Sequence, residues 1–479
     1  MHNGRYGKNN ITDISYSDAS YAFMGAHERD DSVIFRYCDA YADAVFVVGD
    51  FNGWDDSLPM ERIGADSVWE ARADKESVHI GDGYKYKIYK NGHAEYRADP
   101  YGKSVGNAPY FNSVIVDESH DWRDGEWMMH RTEDRGRNFP VSVYAIDALR
   151  WKLGQDGKAL PLEILGDEII PYVKQMGYTH ICFCNVFDDR ESDLIHTYFA
   201  TKHELGTAQN IKSFTERLHG EGIGVMLGID ARSGSDNDIK LVSDSIGYWS
   251  ENYHVDGVVI MTDENTYGVL ELIRERYKDL IVVDGIKARK NGNIDLSKID
   301  GLCDDWRRFA ATRALMTYRT VMPFVHITPM GEEIGAEALS GTAKTVDWHL
   351  SDSRLNAQLQ LFCSKLNYVY LGCRMIWSRR GEITVSGEGC PKGVFAAKLT
   401  SDMGEMLTVV NLTPDVHENC AIDADADTYR EIFNSDALEY GGSGVVNDGA
   451  IKSQMTDENR KIRIRIPPLA ATVLISEKI

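Results

Sequence analysis

Six acidic side chains stand at or just past the ends of predicted strands in the middle of the chain. A carboxylate and a carboxylic acid held close together can supply a nucleophile and a proton donor to one substrate. Acidic residues at such positions also suit solvated loops and helix N-caps. The sequence therefore leaves a catalytic and a structural interpretation open for Asp230, Asp263, Glu264, Asp284, Asp304 and Asp305.

The elements that must position these side chains alternate in type. From about Val141 to Trp377, apolar runs of strand length are separated by helical stretches, such as the predicted helix Ile164–Met176 between the runs Val141–Ile146 and Thr179–Phe183. Buried runs alternating with helices indicate a parallel sheet. At this length a (β/α)8 barrel is the favoured architecture, although the pattern alone also fits an open, doubly wound sheet.

Composition bounds the function. The chain has 479 residues, a net charge of −22 and a hydrophobic fraction of 43%, which together indicate a globular protein of about three domains. The negative charge argues against nucleic acid or an anionic membrane as partner, whereas a neutral polysaccharide is compatible with it.

We expect neither a signal peptide nor a membrane span. The eight cysteines are scattered. Cys182 and Cys184 lie on the same face of a predicted strand, and we interpret them as core thiols rather than as metal ligands or a strained pair. The compartment predicted from this cysteine usage is the reducing cytoplasm.

Two all-β regions are predicted on either side of the alternating segment. After a polar leader over residues 1–31, residues 32–128 contain the turn Gly49–Trp54 and the alternating run Tyr84–Tyr89, which ends at an Asn-Gly turn typical of hairpins. Residues 387–479 contain the paired runs Val394–Leu399 and Met406–Asn411. Short strands with frequent turns favour a β-sandwich in each region.

The first β region resembles the family 48 carbohydrate-binding module. The resemblance rests on the Gly-Asp-Phe-Asn-Gly-Trp turn, the Tyr-Lys-Tyr-Lys strand and an Asp-Pro-Tyr run ending at residue 101. It implies that Trp54 stacks on glucose and that Lys87 and Asn112 bond to sugar hydroxyls. A second stacking Trp of such modules is absent, and Tyr96 is the nearest aromatic. The alternative is that Trp54 packs a domain junction and binds nothing.

The remaining chain resembles the glycogen (1,4-alpha-glucan) branching enzymes of glycoside hydrolase family 13. Residues Pro171–His180 and Leu218–Val225 are similar to the passages into the second and third barrel strands, and Val321–His326 to the approach to the seventh. Tyr440–Ser443 and Pro467–Ala470 are similar to the family's C-terminal β-domain. The resemblance implies a (β/α)8 barrel over residues 135–385, shorter than the family's own, followed by a C-terminal β-sandwich.

The catalytic signature of that family is not kept. Tyr253–Met261 resembles the fourth barrel strand, where the family has Asp-Gly-Leu-Arg-Val-Asp, but Val259 stands in the Arg position and Met261 in the nucleophile position. The family's acid Glu aligns with Asp284, which is one methylene shorter. At the seventh strand His326 matches the family's His, while Ile327 replaces its Asp.

Three further positions depart from the family in the same way. The Asp and His that follow its third strand match Gly228 and Ser233, and the Tyr that forms a platform under the reacting sugar matches Asp193. Since no Arg accompanies the strand-end carboxylates, we read them as loop residues and helix caps, and His326 as a structural histidine.

The hypothesis that follows is a non-catalytic relative of the branching enzymes that binds glycogen or another α-glucan, or an enzyme partner in glycogen metabolism. The alternative is an active branching or hydrolysing enzyme with a relocated carboxylate pair. A third possibility is a regulator that binds protein rather than sugar. No cofactor or metal site is predicted, because the cysteines show no paired ligand spacing.

Overall fold

The computed structural model describes most of the chain in three successive regions. Among its helices, none is both long and apolar enough to span a bilayer. The residues it describes are 20–63, 67–106, 110–134, 139–187, 198–231, 236–263, 268–287, 296, 299, 302–322, 324–336, 345–378, 381–456 and 459–476.

The N-terminal region consists of two antiparallel sheets that enclose one apolar core. One sheet has the order β1-β2-β5-β4, and in the other β3 pairs with β6, which also pairs with β7 and β8. Asn91 and Gly92 have φ of 51° and 77°, as a two-residue hairpin turn requires, and this confirms the predicted hairpin. The strands are β1 (Gly25–Arg29), β2 (Ser32–Cys38), β3 (Ala44–Gly49), β4 (Glu61–Ile63), β5 (Val68–Asp74), β6 (Gly83–Lys90), β7 (His93–Arg97) and β8 (Ser113–Val114).

The polar leader is shorter than predicted. Residues Gly25–Arg29, which we assigned to the leader over 1–31, pair along their whole length with Ser32–Arg36 of β2. Backbone pairing across a tight turn at Asp30 and Asp31 stabilises this polar strand although its own side chains are half-buried or exposed. The hydrophobic pattern of the sequence could not reveal this strand, because backbone hydrogen bonds to β2, rather than burial of its side chains, stabilise it.

The central region is a curled, entirely parallel sheet with helices on one face. Six strands lie in the order β13-β12-β11-β10-β9-β14, so the predicted parallel α/β barrel architecture is confirmed, with six of its strands formed by the described residues. The strands are β9 (Ser142–Ile146), β10 (His180–Phe183), β11 (Gly224–Asp230), β12 (Gly257–Met261), β13 (Ile281–Asp284) and β14 (His326–Pro329). The helices are α1 (Gly125–Asp134), α2 (Leu162–Met176), α3 (Ala208–Gly220), α4 (Asp236–Asn252), α5 (Gly268–Arg276), α6 (Asp305–Val321), α7 (Arg354–Gly372) and α8 (Arg374–Trp377).

The last strand of this sheet is paired with the first. β14 is hydrogen-bonded in parallel to β9, with His326 opposite Ser142. The pairing shows which strands are neighbours and does not number β14 within the family's barrel, so the match of His326 to the seventh strand stays a prediction.

Residues 285–325 connect β13 to β14, and the 17-residue α6 occupies much of this connection. None of the described residues of the connection forms a strand. The part of the sheet that the structure describes therefore has six strands rather than eight.

The two faces of the parallel sheet pack differently. Val143, Cys182, Met226, Val259 and Val283 from five successive strands form one apolar cluster, which we call the inner face. Helices α2 and α3 pack against the opposite, outer face within the largest core cluster. Side chains alternate between the two faces along each strand. A residue at a strand end therefore points to the same face as the residue two positions before it.

Local signals account for the helix boundaries. The hydroxyl oxygen of Thr207 accepts a hydrogen bond from the backbone N–H of Asn210 at the start of α3, and Asp304 accepts one from Arg307 at the start of α6. Such N-caps satisfy backbone donors that have no partner inside the helix. Helix α2 ends at Gly177, whose φ of 75° favours glycine.

The C-terminal region is a two-sheet β domain packed against α6. Ile462, Ile464 and Ile466 are buried and alternate with exposed arginines. The six-stranded sheet begins at Glu382, five residues before the predicted boundary, because β15 pairs with β16. The sheets have the orders β15-β16-β17-β23-β19-β20 and β18-β22-β21. The strands are β15 (Glu382–Ser386), β16 (Val394–Ser401), β17 (Gly404–Asn411), β18 (His417–Asp423), β19 (Thr428–Asn434), β20 (Ala450–Lys452), β21 (Gln454–Met455), β22 (Arg460–Ile466) and β23 (Ala470–Ser476).

Candidate functional site

The carboxyl end of the parallel sheet carries a thioether where the resemblance places a nucleophile. Met261 is the last residue of β12 and lies two positions after the inner-face residue Val259, so its side chain is on the inner face as well. Its sulfur packs beside the backbone at the end of β13, since a Cβ added to Gly285 would lie 2.5 Å from Met261 Sδ. This position supplies van der Waals contact and no proton transfer.

The side chain at the expected acid position points to the other face. In β13, Ile281 and Val283 belong to the inner face and Val282 packs on the outer side. Because side chains alternate along a strand, the side chain of Asp284 lies on the outer face, like that of Val282. Asp284 is buried, and its Oδ1 accepts a hydrogen bond of 2.9 Å from the backbone N–H of Lys287. The carboxylate thus holds the turn that follows the strand.

The other strand-end carboxylates occupy several environments. Asp230 is the exposed last residue of β11 and lies opposite Met261 in the ladder. Asp263 is half-buried and lies two residues beyond the end of β12. Asp304 caps α6, and Asp305 forms an exposed ion pair with Arg308. The structure therefore supports the structural interpretation for Asp304. Glu264, Asp193 and Ser233 lie outside the described residues.

Two groups singled out from the sequence have structural surroundings. His326 is buried, and burial, with a contribution from the Arg319 charge, lowers the pKa of its imidazole to about 3, so the ring is neutral. Cys182 and Cys184 are free thiols, the first buried and the second half-buried. Within the described residues, no group of three or more His, Cys, Asp or Glu side chains is arranged to hold a metal ion.

A second candidate site lies on the N-terminal module, where Trp54 follows β3. Trp54 is 37% exposed, and its indole Nε1–H donates to Asp50 Oδ1 at 2.8 Å. The other oxygen of Asp50 accepts a hydrogen bond of 2.7 Å from the backbone N–H of Gly83. The amide of Asn112 lies against the Cα of Gly83. Asp50 therefore links Trp54 to Gly83 of β6, and Asn112 lies next to Gly83.

Lys87 lies farther along the same strand. Its Nζ donates to both oxygens of Asp56, at 2.6 and 2.8 Å, and Tyr89 donates to the same carboxylate. Tyr96 is directly opposite Lys87 in the ladder and is 53% exposed. The hydrogen bonds that the Lys87 ammonium makes with Asp56 and Tyr89 raise the pKa of Lys87 above its usual value, so the ammonium stays charged.

Trp54, Lys87, Tyr96 and Asn112 together form what we call the module surface. Tyr84, Tyr86 and Ile88 of β6 point into the core, so the intervening residues point outward on this surface. Exposed aromatic rings beside fixed hydrogen-bonding groups can stack on sugar rings and bond to their hydroxyls.

The sequence interpretation missed the two carboxylates that fix this surface. Asp50 orients the indole of Trp54, and Asp56 holds the ammonium of Lys87. Both lie within four residues of Trp54, and that clustering of acidic residues around an exposed aromatic side chain was the available signal.

Family models match both β regions of the chain. Residues 23–102 match the carbohydrate-binding module 48 (isoamylase N-terminal domain), and residues 393–477 match the alpha amylase C-terminal all-beta domain. The first match begins before β1, which agrees with the shorter leader.

Related proteins align over nearly the whole chain. The 1,4-alpha-glucan branching enzyme GlgB of Cellvibrio japonicus is 23% identical over 607 positions, covering 95% of this chain and 82% of the relative. The enzyme of the same name from Halothermothrix orenii is 24% identical and covers 94% and 95%. Because both alignments run over more than 600 positions while the chain has 479 residues, the relatives contain segments that this chain lacks.

Solved structures show the same architecture. A pullulanase type I from Bacillus subtilis, complexed with maltose, superposes with a TM-score of 0.70 at 13% identity, covering 95% of this chain and 85% of the other. A pullulanase from Bacillus acidopullulyticus gives a TM-score of 0.71 at 12% identity, with coverage of 98% and 76%. The chain is thus a homologue of the GlgB-type 1,4-alpha-glucan branching enzymes, with a family 13-like barrel region between a carbohydrate-binding module 48 and an alpha-amylase C-terminal domain.

Proposed function

We propose that this chain binds α-glucan without catalysing the glucosyl transfer of its homologues. The observation that carries the proposal is the pair of side chains at the family's two catalytic positions. Met261 packs against the backbone at Gly285, and Asp284 caps the following turn from the outer face. A retaining glycosyl transfer needs a nucleophilic carboxylate and a protonated carboxyl about 5–5.5 Å apart on either side of the bond.

The match to the seventh strand supports the same proposal. The resemblance implies a His-Asp pair there that bonds to sugar hydroxyls, whereas in this chain Ile327 follows His326 and the His326 side chain is buried. A site without the family's nucleophile, acid and His-Asp pair lacks the groups that form and stabilise the covalent intermediate.

The glucan-binding half of the proposal rests on the module surface. Trp54 and Tyr96 present exposed rings, and Asp56 holds the ammonium of Lys87, which lies over the Tyr96 ring. The homologues are named for action on 1,4-alpha-glucan, and one structural neighbour was solved with maltose. A protein partner from glycogen metabolism would not require exposed, hydrogen-bonded aromatic rings, so we favour the glucan itself.

Affinity electrophoresis in gels containing glycogen tests the binding. We expect the wild-type chain to be retarded and the Trp54→Ala variant to migrate as it does without glycogen. Tyr41→Ala is the matched control, because Tyr41 is an exposed aromatic residue at the other end of β3. Equal migration of wild type with and without glycogen would favour the protein-binding alternative.

One observation favours an active enzyme as the second candidate. Asp230 ends β11 directly opposite Met261, so a carboxylate does lie near the emptied position, and Asp263 follows β12 closely. This version requires turnover of amylose that disappears in Asp263→Asn or Asp284→Asn. Turnover that persists in both variants excludes the relocated pair.

A further inference from the structure

A cavity of about 270 Å³ lies at the end of the parallel sheet opposite to Met261 and Asp284. Its floor is formed where the strands begin, by residues that include Thr179, His180, Asp256 and Ile281, and α1 covers it with Trp127 and other side chains. This volume is slightly below the range of about 300–1,000 Å³ usual for small-molecule sites. The cavity would therefore hold a small ring rather than an extended chain.

The principal polar group in the cavity is the guanidinium of Arg131. Its side chain is nine-tenths buried, and Nη1 donates to the carbonyl oxygen of Val255 at 2.8 Å. The Arg131 nitrogens also lie 3.9 Å from Asp256 and 3.6 Å from Asp279. Arg131 Nε is buried and has no hydrogen-bond acceptor within the described part of the chain. Since buried N–H groups are almost always paired, this donor points to a missing acceptor.

The charges at the cavity and directly behind it disfavour an anion as the ligand. Asp124, Asp256 and Asp279 carry three negative charges, against the two positive charges of Arg131 and of the His219 imidazolium that bonds Asp124 and Asp256. Burial lowers the pKa of His180 to about 4, so its imidazole adds no positive charge at neutral pH. A ligand with a neutral oxygen acceptor avoids the repulsion that a phosphate or carboxylate would meet.

Aromatic rings line the same space. The indole of Trp127 is stacked on His219 with centroids 4.8 Å apart, and Phe139 is stacked on His180 at 6.0 Å. Trp127 Nε1 donates to Asp256 at 2.8 Å, which fixes the indole. Fixed rings beside a carboxylate and a guanidinium suit a ring that has apolar faces and hydroxyls around its edge.

We propose that this cavity binds a neutral sugar ring, either as a free monosaccharide or as the end of a glucan chain. A ring hydroxyl would accept from Arg131 Nε, and another would donate to Asp279 at the cavity entrance. The site is separate from the module surface and from the carboxyl end of the sheet. It therefore stands whether or not the module surface binds glucan.

Calorimetric titration of the full chain with glucose and with maltose tests the proposal, using the Trp54→Ala background to remove the module surface. We expect millimolar binding that weakens at least tenfold in Arg131→Lys, which keeps the charge and removes Nε–H. Asp279→Asn should weaken binding about fivefold, and its half-exposed loop position makes misfolding of this variant a small concern. Glucose 6-phosphate is the anionic control and should bind more weakly than glucose.

Hydrogen exchange of the same background localises the ligand. Saturating glucose or maltose should slow exchange in α1 and in β13 and leave the N-terminal module unchanged. Tight binding of maltose with weak binding of glucose identifies a chain end, and equal binding identifies a free monosaccharide. The proposal is overturned if neither sugar binds in the Trp54→Ala background, or if both Arg131→Lys and Asp279→Asn bind as their parent does.

Discussion

Replacing His219 by Ala should destabilise the barrel region by about 3 kcal/mol. The His219 side chain is fully buried, with Nδ1 at 2.7 Å from Asp124 and Nε2 at 3.0 Å from Asp256. Removing one partner from a buried charged network costs about 3–5 kcal/mol. The lower end applies because Asp256 keeps hydrogen bonds from Trp127 Nε1 and Val225 N, at 2.8 and 2.7 Å.

The effect should depend on pH in a defined direction. Burial acts to lower the pKa of His219, but its hydrogen bonds and attraction to Asp124 and Asp256 outweigh burial and raise that pKa. The imidazolium therefore contributes stability that is fully present below the unfolded pKa of about 6.5 and is lost as pH rises through the folded value. The pKa values of Asp124 and Asp256 are lowered, so their contribution is lost only in acid.

Scanning calorimetry between pH 5 and pH 9 measures this prediction. A loss of about 3 kcal/mol corresponds to a fall in melting temperature of about 6–12 °C for a domain of this size. The difference in stability from wild type should narrow as the pH rises above the unfolded pKa of about 6.5. His349→Ala is the control, because that histidine is 95% exposed and should change stability by less than about 0.5 kcal/mol. A His219→Ala variant as stable as His349→Ala would refute the reasoning.

Three further predictions follow from single contacts. Asp50→Ala should lower glycogen affinity about fivefold in gel retardation, because it frees the indole of Trp54, and this corresponds to about 1 kcal/mol; undiminished retardation would contradict it. Asp284→Asn should cost at most about 1 kcal/mol in urea unfolding, since an amide oxygen can still accept from the following turn; a larger loss would show a wider role. Glu333→Ala should cost about 2–3 kcal/mol, because it leaves the buried hydroxyl of Tyr144 without its 2.6 Å acceptor, whereas Glu333→Gln should cost less; equal losses would be inconsistent with that hydrogen bond.

The architecture was predictable because its signals are local. The alternation of Ile462, Ile464 and Ile466 with arginines fixed one strand, and the Asn91-Gly92 turn fixed a hairpin. The place of β14 was not predictable in this way. It depends on pairing with β9, more than 180 residues earlier in the chain, and no short pattern encodes such a contact.

The candidate sites were predictable in part, and for the same reason. The sequence showed which residue matches the family's acid position. It did not show to which face of the sheet the Asp284 side chain points, because that depends on which residues of β13 face inward. The cavity at the opposite end of the sheet was missed, although Trp127, His130 and Arg131 have the i, i+3, i+4 spacing of one helix face. What lies beneath that face is set by the starts of several strands that only folding brings together.

The measurement that tests the central claim most directly is incubation of the purified chain with amylose, followed by iodine absorbance and reducing-end analysis. With Met261 at the nucleophile position and Asp284 turned to the outer face, we expect unchanged iodine colour and no new reducing ends. Loss of iodine colour without new reducing ends would demonstrate branching and contradict the account.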